Sequence, residues 1–282
     1  MSKIIALVDG SLYSESVCDY AAWVAKRKGS SVEILHVLGR REGAQSNLSG
    51  NIGLGARSRL MDELAELDIA TAKLAQKRGR AILEDAEARV RADGVEDVTT
   101  RLRHGDLLEE LLEAEKGADL VVIGKRGEGA DFAKMHLGSN LERVARASVI
   151  PVLVASRAFV PVERFMIAYD GSKATMKAVD HIAKSKVFAG LDASLLCVGE
   201  DDQTSRRALE GAEALLKDAG YTVRSDIQSG HPAEVISAQV KEKSIDVLMM
   251  GAYSTSRLRS LLLGSTSSEM IRSCHVPILL FR

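Results

Sequence analysis

The chain carries the same punctuation twice. An apolar run that ends in Asp9-Gly10-Ser11 returns as one that ends in Asp170-Gly171-Ser172. Further on, Gly124, Gly138-Ser139 and Val149-Ile150-Pro151-Val152-Leu153 return in the same order as Gly251, Gly264-Ser265 and Val276-Pro277-Ile278-Leu279. An internal duplication of this kind constrains the fold more than composition does, because each copy must fold as one unit with the same turns at the same points. At 282 residues, the length suits two ordinary domains. The expected division is residues 1–156 and 163–282, joined by a linker over Ser156 to Val162 that contains Pro161.

Within each copy, short apolar runs alternate with amphipathic stretches. Ile4 to Val8 is continuously apolar, as expected of a strand buried on both faces of a parallel sheet. Ser14 is placed to cap the helix that follows, where Val17, Tyr20, Ala21 and Val24 recur at helical spacing until Gly29. Further strands are read at Val32–Val37, Val95–Leu102, Asp119–Ile123 and Val152–Ala155, with helices at Asp106–Lys116 and Leu137–Ala147. The second copy gives strands at Phe165–Tyr169, Ala193–Val198, Thr222–Gln228, Val247–Met250 and Pro277–Phe281. Its helices fall at Lys173–Lys186, Ser205–Ala219, Ala233–Lys243 and Ser265–Cys274. This alternation predicts an α/β fold: two tandem doubly wound domains, each a parallel sheet with right-handed crossovers and helices on both faces.

The copies differ at one place. Arg40 to Gly55, rich in Gly, Ser, Asn and Gln, reads as a loop leading into a long charged helix from about Ala56 to Ala92. The second copy crosses the same gap with little more than Gly199 to Thr204. The 40–92 arm is either a lid or partner surface, or a plain surface insertion.

Bulk properties remove several function classes. With 38 Lys+Arg against 39 Asp+Glu there is no net field to gather nucleic acid or acidic lipid. Cys18, Cys197 and Cys274 are far apart and form no CxxC pair, so they read as reduced thiols. There is no secretory signal, and no apolar stretch approaches the ~20 residues of a membrane span. A cytoplasmic protein is expected.

The chemistry is concentrated at the glycine turns. After its fourth strand the second copy reads Gly251-Ala252-Tyr253-Ser254, then nine residues, then Gly264-Ser265-Thr266-Ser267 opening a helix. Glycine lets backbone approach a ligand closely, and a helix start offers unpaired N–H groups and the positive end of the dipole to an anion. The hydroxyls of Ser265, Thr266 and Ser267 add donors, and Arg257 and Arg259 are within reach of a polyphosphate. Ligands of open α/β sheets sit outside the carboxyl ends of the strands, the edge that also carries Asp170.

The Gly-x2-Gly-x9-Gly-(Ser/Thr) turn, the Asp-Gly-Ser after strand one and the closing Pro-Val-Leu-type strand together resemble the universal stress protein family, in its tandem two-domain form. The resemblance covers essentially the whole chain outside the 40–92 arm. It implies a five-stranded sheet of order 3-2-1-4-5 in each domain and, in some members, bound ATP. Carried onto the second copy, it implies nucleoside contacts from Ala168, Tyr169, Asp170 and Val198, and phosphate contacts from Gly251, Ser254, Gly264, Ser265, Thr266 and Ser267. On the first copy the matching positions are Asp9, Val37, Gly124, Gly127, Gly138 and Ser139. The cofactor implied is ATP or ADP, with Mg2+ as a candidate companion of the phosphates.

Both copies depart from the pattern. Ser254 stands where the middle glycine is expected, and ten residues rather than nine separate Gly127 from Gly138. Glu128 and Asp131 place negative charge in the first turn, partly offset by Lys125, Arg126 and Lys134, so the sequence favours the second copy as the nucleotide site. The plainer reading of Gly138-Ser139 and Gly264-Ser265 is helix capping, and of Asp9 and Asp170 turn formation.

Other chemistry is thin. His104 and His231 read as loop residues, His36 and Cys197 as strand-two sheet residues, and His136 and His275 show no metal-ligand spacing. There is no Ser-His-Asp order, paired carboxylate or Walker lysine, so no catalytic residue is assigned. The expectation is a stress-response protein that binds an adenine nucleotide as a sensor or switch. The resemblance further implies that the fifth strands, Val152–Ala155 and Ile278–Phe281, pair to make an intramolecular pseudo-dimer, with a homodimer as a further expectation. A slow ATP hydrolase and a nucleotide-free scaffold remain open alternatives.

Overall fold

A computed structural model describes residues 2–39, 54–127, 139–252 and 265–282. In the first half the order is β1 (Lys3–Leu7), α1 (Ser14–Lys28), β2 (Ser31–Gly39), α2 (Leu54–Ala92), β3 (Val98–Gly105), α3 (Leu107–Ala114), β4 (Leu120–Gly124), α4 (Ser139–Ala147) and β5 (Val152–Ala155). The second half repeats it as β6 (Arg164–Ala168), α5 (Lys173–Lys184), β7 (Asp192–Val198), α6 (Gln203–Asp218), β8 (Val223–Gln228), α7 (Pro232–Glu242), β9 (Val247–Gly251), α8 (Ser265–Ser273) and β10 (Ile278–Phe281).

Each half is a five-stranded parallel sheet of order 3-2-1-4-5, and the two join into one ten-stranded sheet, β3-β2-β1-β4-β5-β10-β9-β6-β7-β8. The alternation of side chains along a strand explains the helices on both faces. On β1, Ile4 and Ala6 enter the layer shared with α1 and α2, while Ile5 and Leu7 enter the layer under α3 and α4. At the joint, β5 and β10 pair antiparallel, with Val152, Leu153 and Val154 opposite Leu280, Leu279 and Ile278. The expected fifth-strand pairing is therefore present, and each half gives up an open sheet edge to the other. Outside the sheet, Trp23 meets Phe188 edge-on at 5.6 Å, and Arg27 donates to the carbonyls of Val187 and Ala189. Among the described residues no helix is long and apolar enough to cross a membrane.

Four local expectations are corrected. β3 begins at Val98 rather than Val95, because α2 closes through that stretch: Asp93, Gly94 and Val95 donate back to Arg89, Arg91 and Val90. Ser14 is the first residue of α1 and not its cap; its hydroxyl instead accepts from the N–H groups of Gly10 at 3.0 Å and Asp9 at 3.3 Å, holding the preceding turn. Residues 54 and 55, expected in the loop, open α2, while 40–53 lie outside the described residues. His104, expected in a loop, lies in β3 and pairs with Leu38 of β2. In the linker, Ser156 is pinned to α1: its carbonyl accepts from Ser16 Oγ at 2.6 Å, and its hydroxyl lies 3.2 Å from Tyr20 Oη.

Candidate functional site

The carboxyl ends of β1, β2 and β4 converge in the first half. Beyond β1 the chain turns at Asp9, whose Oδ1 accepts from Ser11 N at 3.0 Å, an Asx turn that presents the carboxylate at the sheet edge. The first-half glycine turn closes over the same group, since a Cβ on Gly127 would stand 2.8 Å from Asp9 Oδ2. Gly124, ending β4, packs so closely on α1 that a Cβ there would stand 2.6 Å from Tyr13 Cβ. The structure thus brings Asp9, Gly124 and Gly127 together, with a side chain at position 124 excluded by Tyr13 Cβ. Ser139 opens α4, and Gly138 lies outside the described residues.

Beside Asp9 is a cavity of about 250 Å3 lined by Asp9, His36, Leu38, Thr71, Leu74, Ala75, Arg78 and Ile82. Its floor is the end of β2 and its roof is α2. His36 is buried, with Nδ1 2.7 Å from Val8 O, which fixes the ring against the sheet. α2 can come this close because position 79 has no side chain: a Cβ on Gly79 would stand 2.8 Å from Leu102 Cδ1 and 3.0 Å from His36 Cδ2. Val37, the expected strand-two contact, packs instead with the layer under α3 and α4, while its neighbours His36 and Leu38 line the cavity. The roof residues were missed from sequence. Their signal is the spacing of Thr71, Ala75, Arg78 and Ile82 along one helical face.

The second half repeats the turn at its aspartate and differs beyond it. Asp170 Oδ1 accepts from Ser172 N at 2.9 Å and from Thr175 Oγ1 at 2.8 Å, a contact unforeseen from sequence. A Cβ on Gly251 would meet Ala174 Cβ at 3.2 Å and Ser172 Oγ at 3.8 Å, so β9 ends directly on the start of α5. Ser267, expected to face phosphate, is buried and donates its hydroxyl to Gly251 O at 2.8 Å, tying α8 to the end of β9. Ser265 is exposed and Thr266 half-buried, at the start of α8. Ala168 and Tyr169 are buried; Tyr169 Oη donates to Met176 Sδ at 2.9 Å, and burial raises its pKa. Val198 packs in the layer under α7 and α8. Ser254, Arg257, Arg259 and Gly264 lie outside the described residues, as do Glu128, Asp131 and Lys134 of the first turn.

Lys125, expected to offset charge at the first turn, donates from Nζ to Cys274 O of the other half at 2.8 Å. Burial pushes the Cys18 thiol up to about 12 and also raises Cys274 and Cys197, so none of the three is an activated nucleophile. Among the described residues no group of three or more His, Cys, Asp or Glu side chains is placed to hold a metal ion.

Two doubly wound halves, each with an aspartate and a glycine turn at the carboxyl ends of its own strands, define the class of the protein. The model of the Universal stress protein family matches residues 1–156 and 192–282, and the chain belongs to that family. It is 34% identical over 287 residues to Universal stress protein Slr1230 of Synechocystis, the match spanning 100% of both chains. A universal stress protein of Mycolicibacterium smegmatis is 24% identical over 302 residues, covering 99% of this chain and 96% of the relative. The crystal structure of a universal stress protein from Archaeoglobus fulgidus shares the fold with a TM-score of 0.72 at 24% identity, covering 99% of this chain and 97% of that one.

Proposed function

We propose that this chain is a cytoplasmic stress-response protein that binds an adenine nucleotide, ATP or ADP, at the carboxyl edge of its strands and uses that occupancy as a switch. The observation that carries the reading is the cavity of about 250 Å3 opening beside Asp9 and the Gly124–Gly127 turn. Its walls are apolar at Leu38, Leu74, Ala75 and Ile82, with polar groups at Asp9, His36, Thr71 and Arg78, the mixture typical of small-molecule sites. Such sites usually run to about 300–1,000 Å3, so the cavity suits the nucleoside, with the phosphates continuing past Asp9 to the glycine turn.

Asp9, an acceptor-only carboxylate, suits ribose hydroxyls rather than phosphate. Gly124 and Gly127 supply close backbone approach, and the start of α4 supplies the anion-favouring dipole. The second half offers the same order of parts through Asp170, Gly251, Ser265 and Thr266, with Ser267 as the tie that sets α8. Mg2+ would arrive on the phosphates. The sequence weighting toward the second half rests on Glu128, Asp131 and the altered spacing, whereas the cavity favours the first half, and the first half is proposed as the tighter site.

Mass spectrometry of ligand released from freshly purified, denatured protein tests the reading. ATP or ADP at close to stoichiometric amounts is expected, or, if the protein purifies empty, a rise in melting temperature on adding millimolar ATP. Absence of both contradicts it.

A further inference from the structure

The two helices that open at the glycine turns each end on a cation from the opposite half. α8 ends at Ser273 and is closed by Cys274, whose N–H donates to Met270 O at 2.8 Å and whose carbonyl accepts from Lys125 Nζ at 2.8 Å. Lys125 itself lies inside the first-half turn, between Gly124 and Arg126. In the other direction, the carbonyl of Arg146 in the last turn of α4 accepts from Arg282 Nη1 at 3.2 Å. Carbonyls at a helix C-terminus lack intrahelical partners and carry the negative end of the dipole, so a cation there stabilises the helix.

The duplication does not produce this pair by symmetry. The residue matching Lys125 is Ala252, which is buried and whose N–H donates to Phe281 O at 2.8 Å. The cation on α4 therefore comes from Arg282, at the end of β10 and away from either turn.

We infer that Lys125 and Arg282 are positioning residues that couple the two glycine turns, with Lys125 as the member that switches. This rests on the nucleotide reading above. Lys125 belongs to a turn that receives phosphate, so its ammonium has two competing partners, the phosphate of its own half and the Cys274 carbonyl of the other. Burial, and the Arg126 charge beside it, lower the Lys125 pKa, so the ammonium is better accommodated once an anion arrives. Phosphate in the first turn draws Lys125 away, α8 loses its C-terminal cation, and the start of α8 is held less firmly for the second ligand. Filling one site weakens the other, and by linkage the effect is reciprocal. A single cation at a helix C-terminus corresponds to a change of roughly two- to thirty-fold in affinity. Arg282 has no competing phosphate and holds α4 whatever the state of the second turn.

Hydrogen exchange on the full chain, with calorimetry in parallel, tests the coupling. In the ligand-free protein Lys125→Met is expected to speed exchange in the last turn of α8 and leave α4 unchanged, while Arg282→Met does the reverse. ATP added to Asp170→Ala, which disables the second site, is expected to speed exchange in α8 when Lys125 is present and to add nothing when Lys125→Met is combined with it. If calorimetry shows ATP bound but α8 does not respond, or responds equally without Lys125, the coupling is overturned. If neither Lys125→Met nor Arg282→Met alters the exchange of its helix, the positioning role is overturned. A wild-type chain that shows no binding heat contradicts the nucleotide reading itself, and the ligand-free arm still judges the two cations separately.

Discussion

The carboxyl edges of the two halves share a plan and differ in their roofs. Each has an aspartate beyond the first strand and a glycine ending the fourth. In the first half a 39-residue α2 extends over that edge and leaves a cavity beneath it, whereas α6 in the second half has 16 residues. The position before the aspartate is Val8 in the first half and the larger, buried Tyr169 in the second. Both aspartates are held by the turn that follows them, Asp9 by Ser11 and Ser14 and Asp170 by Ser172 and Thr175, and Asp9 also borders the cavity under α2. A duplicated fold keeps its turns because the chain reversal needs them. The room for a ligand depends on side-chain volume and on the added helix, and these have diverged.

The comparison can be broken at the mid-helix glycines, one in each half. Gly79→Leu should force α2 off Leu102 and His36 and cost about 1–3 kcal/mol, the usual range for overpacking, read as a lower midpoint in denaturant unfolding. Gly211 of α6 has no heavy atom within 4 Å of where its Cβ would stand, so Gly211→Ala should stabilise by about 0.5–1 kcal/mol through helix propensity. Destabilisation of equal size at both positions would mean that α2 is not clamped more closely than α6.

The smallest effect is expected at the joint, where neither half differs in its turns. His181 packs edge-on against Phe281 at 5.5 Å, and its pKa is lowered, chiefly by burial and then by Lys28. A histidine whose folded pKa lies below its unfolded value contributes stability that is present above the unfolded pKa and lost as pH falls through the folded one. Melting temperature should therefore decline as pH drops below about 6.5, and His181→Phe should flatten that decline. An unchanged pH profile in the variant would assign the titration elsewhere.

Much of this fold was legible in the sequence because strands buried on both faces read as unbroken apolar runs, as at Ile4 to Val8, and because the repeat fixed the order of the turns. The family resemblance then implied the strand order, which the sheet shows. The start of β3 was misplaced because Val95 is apolar for a different reason: it closes α2 rather than opening the strand. The candidate site was only half legible. Aspartates and glycines announce a turn, but the cavity depends on how near α2 approaches β2. That approach is set by the absence of a side chain at Gly79, which in a charged helix reads only as a weak helix former. The contact of Lys125 with the carbonyl of Cys274 was not legible, because that partner is a backbone group 149 residues away.

The central claim is that the first half binds the nucleoside under α2. Calorimetry of ATP against the wild type and Ala75→Trp tests it most directly, because tryptophan at that position would fill the cavity while leaving both glycine turns in place. Loss of apolar contact worth roughly 2.7 kcal/mol should weaken the tighter binding event about 100-fold, with the weaker event at the second half kept. If Ala75→Trp binds ATP with the wild-type affinities, the cavity beside Asp9 is not the nucleoside site.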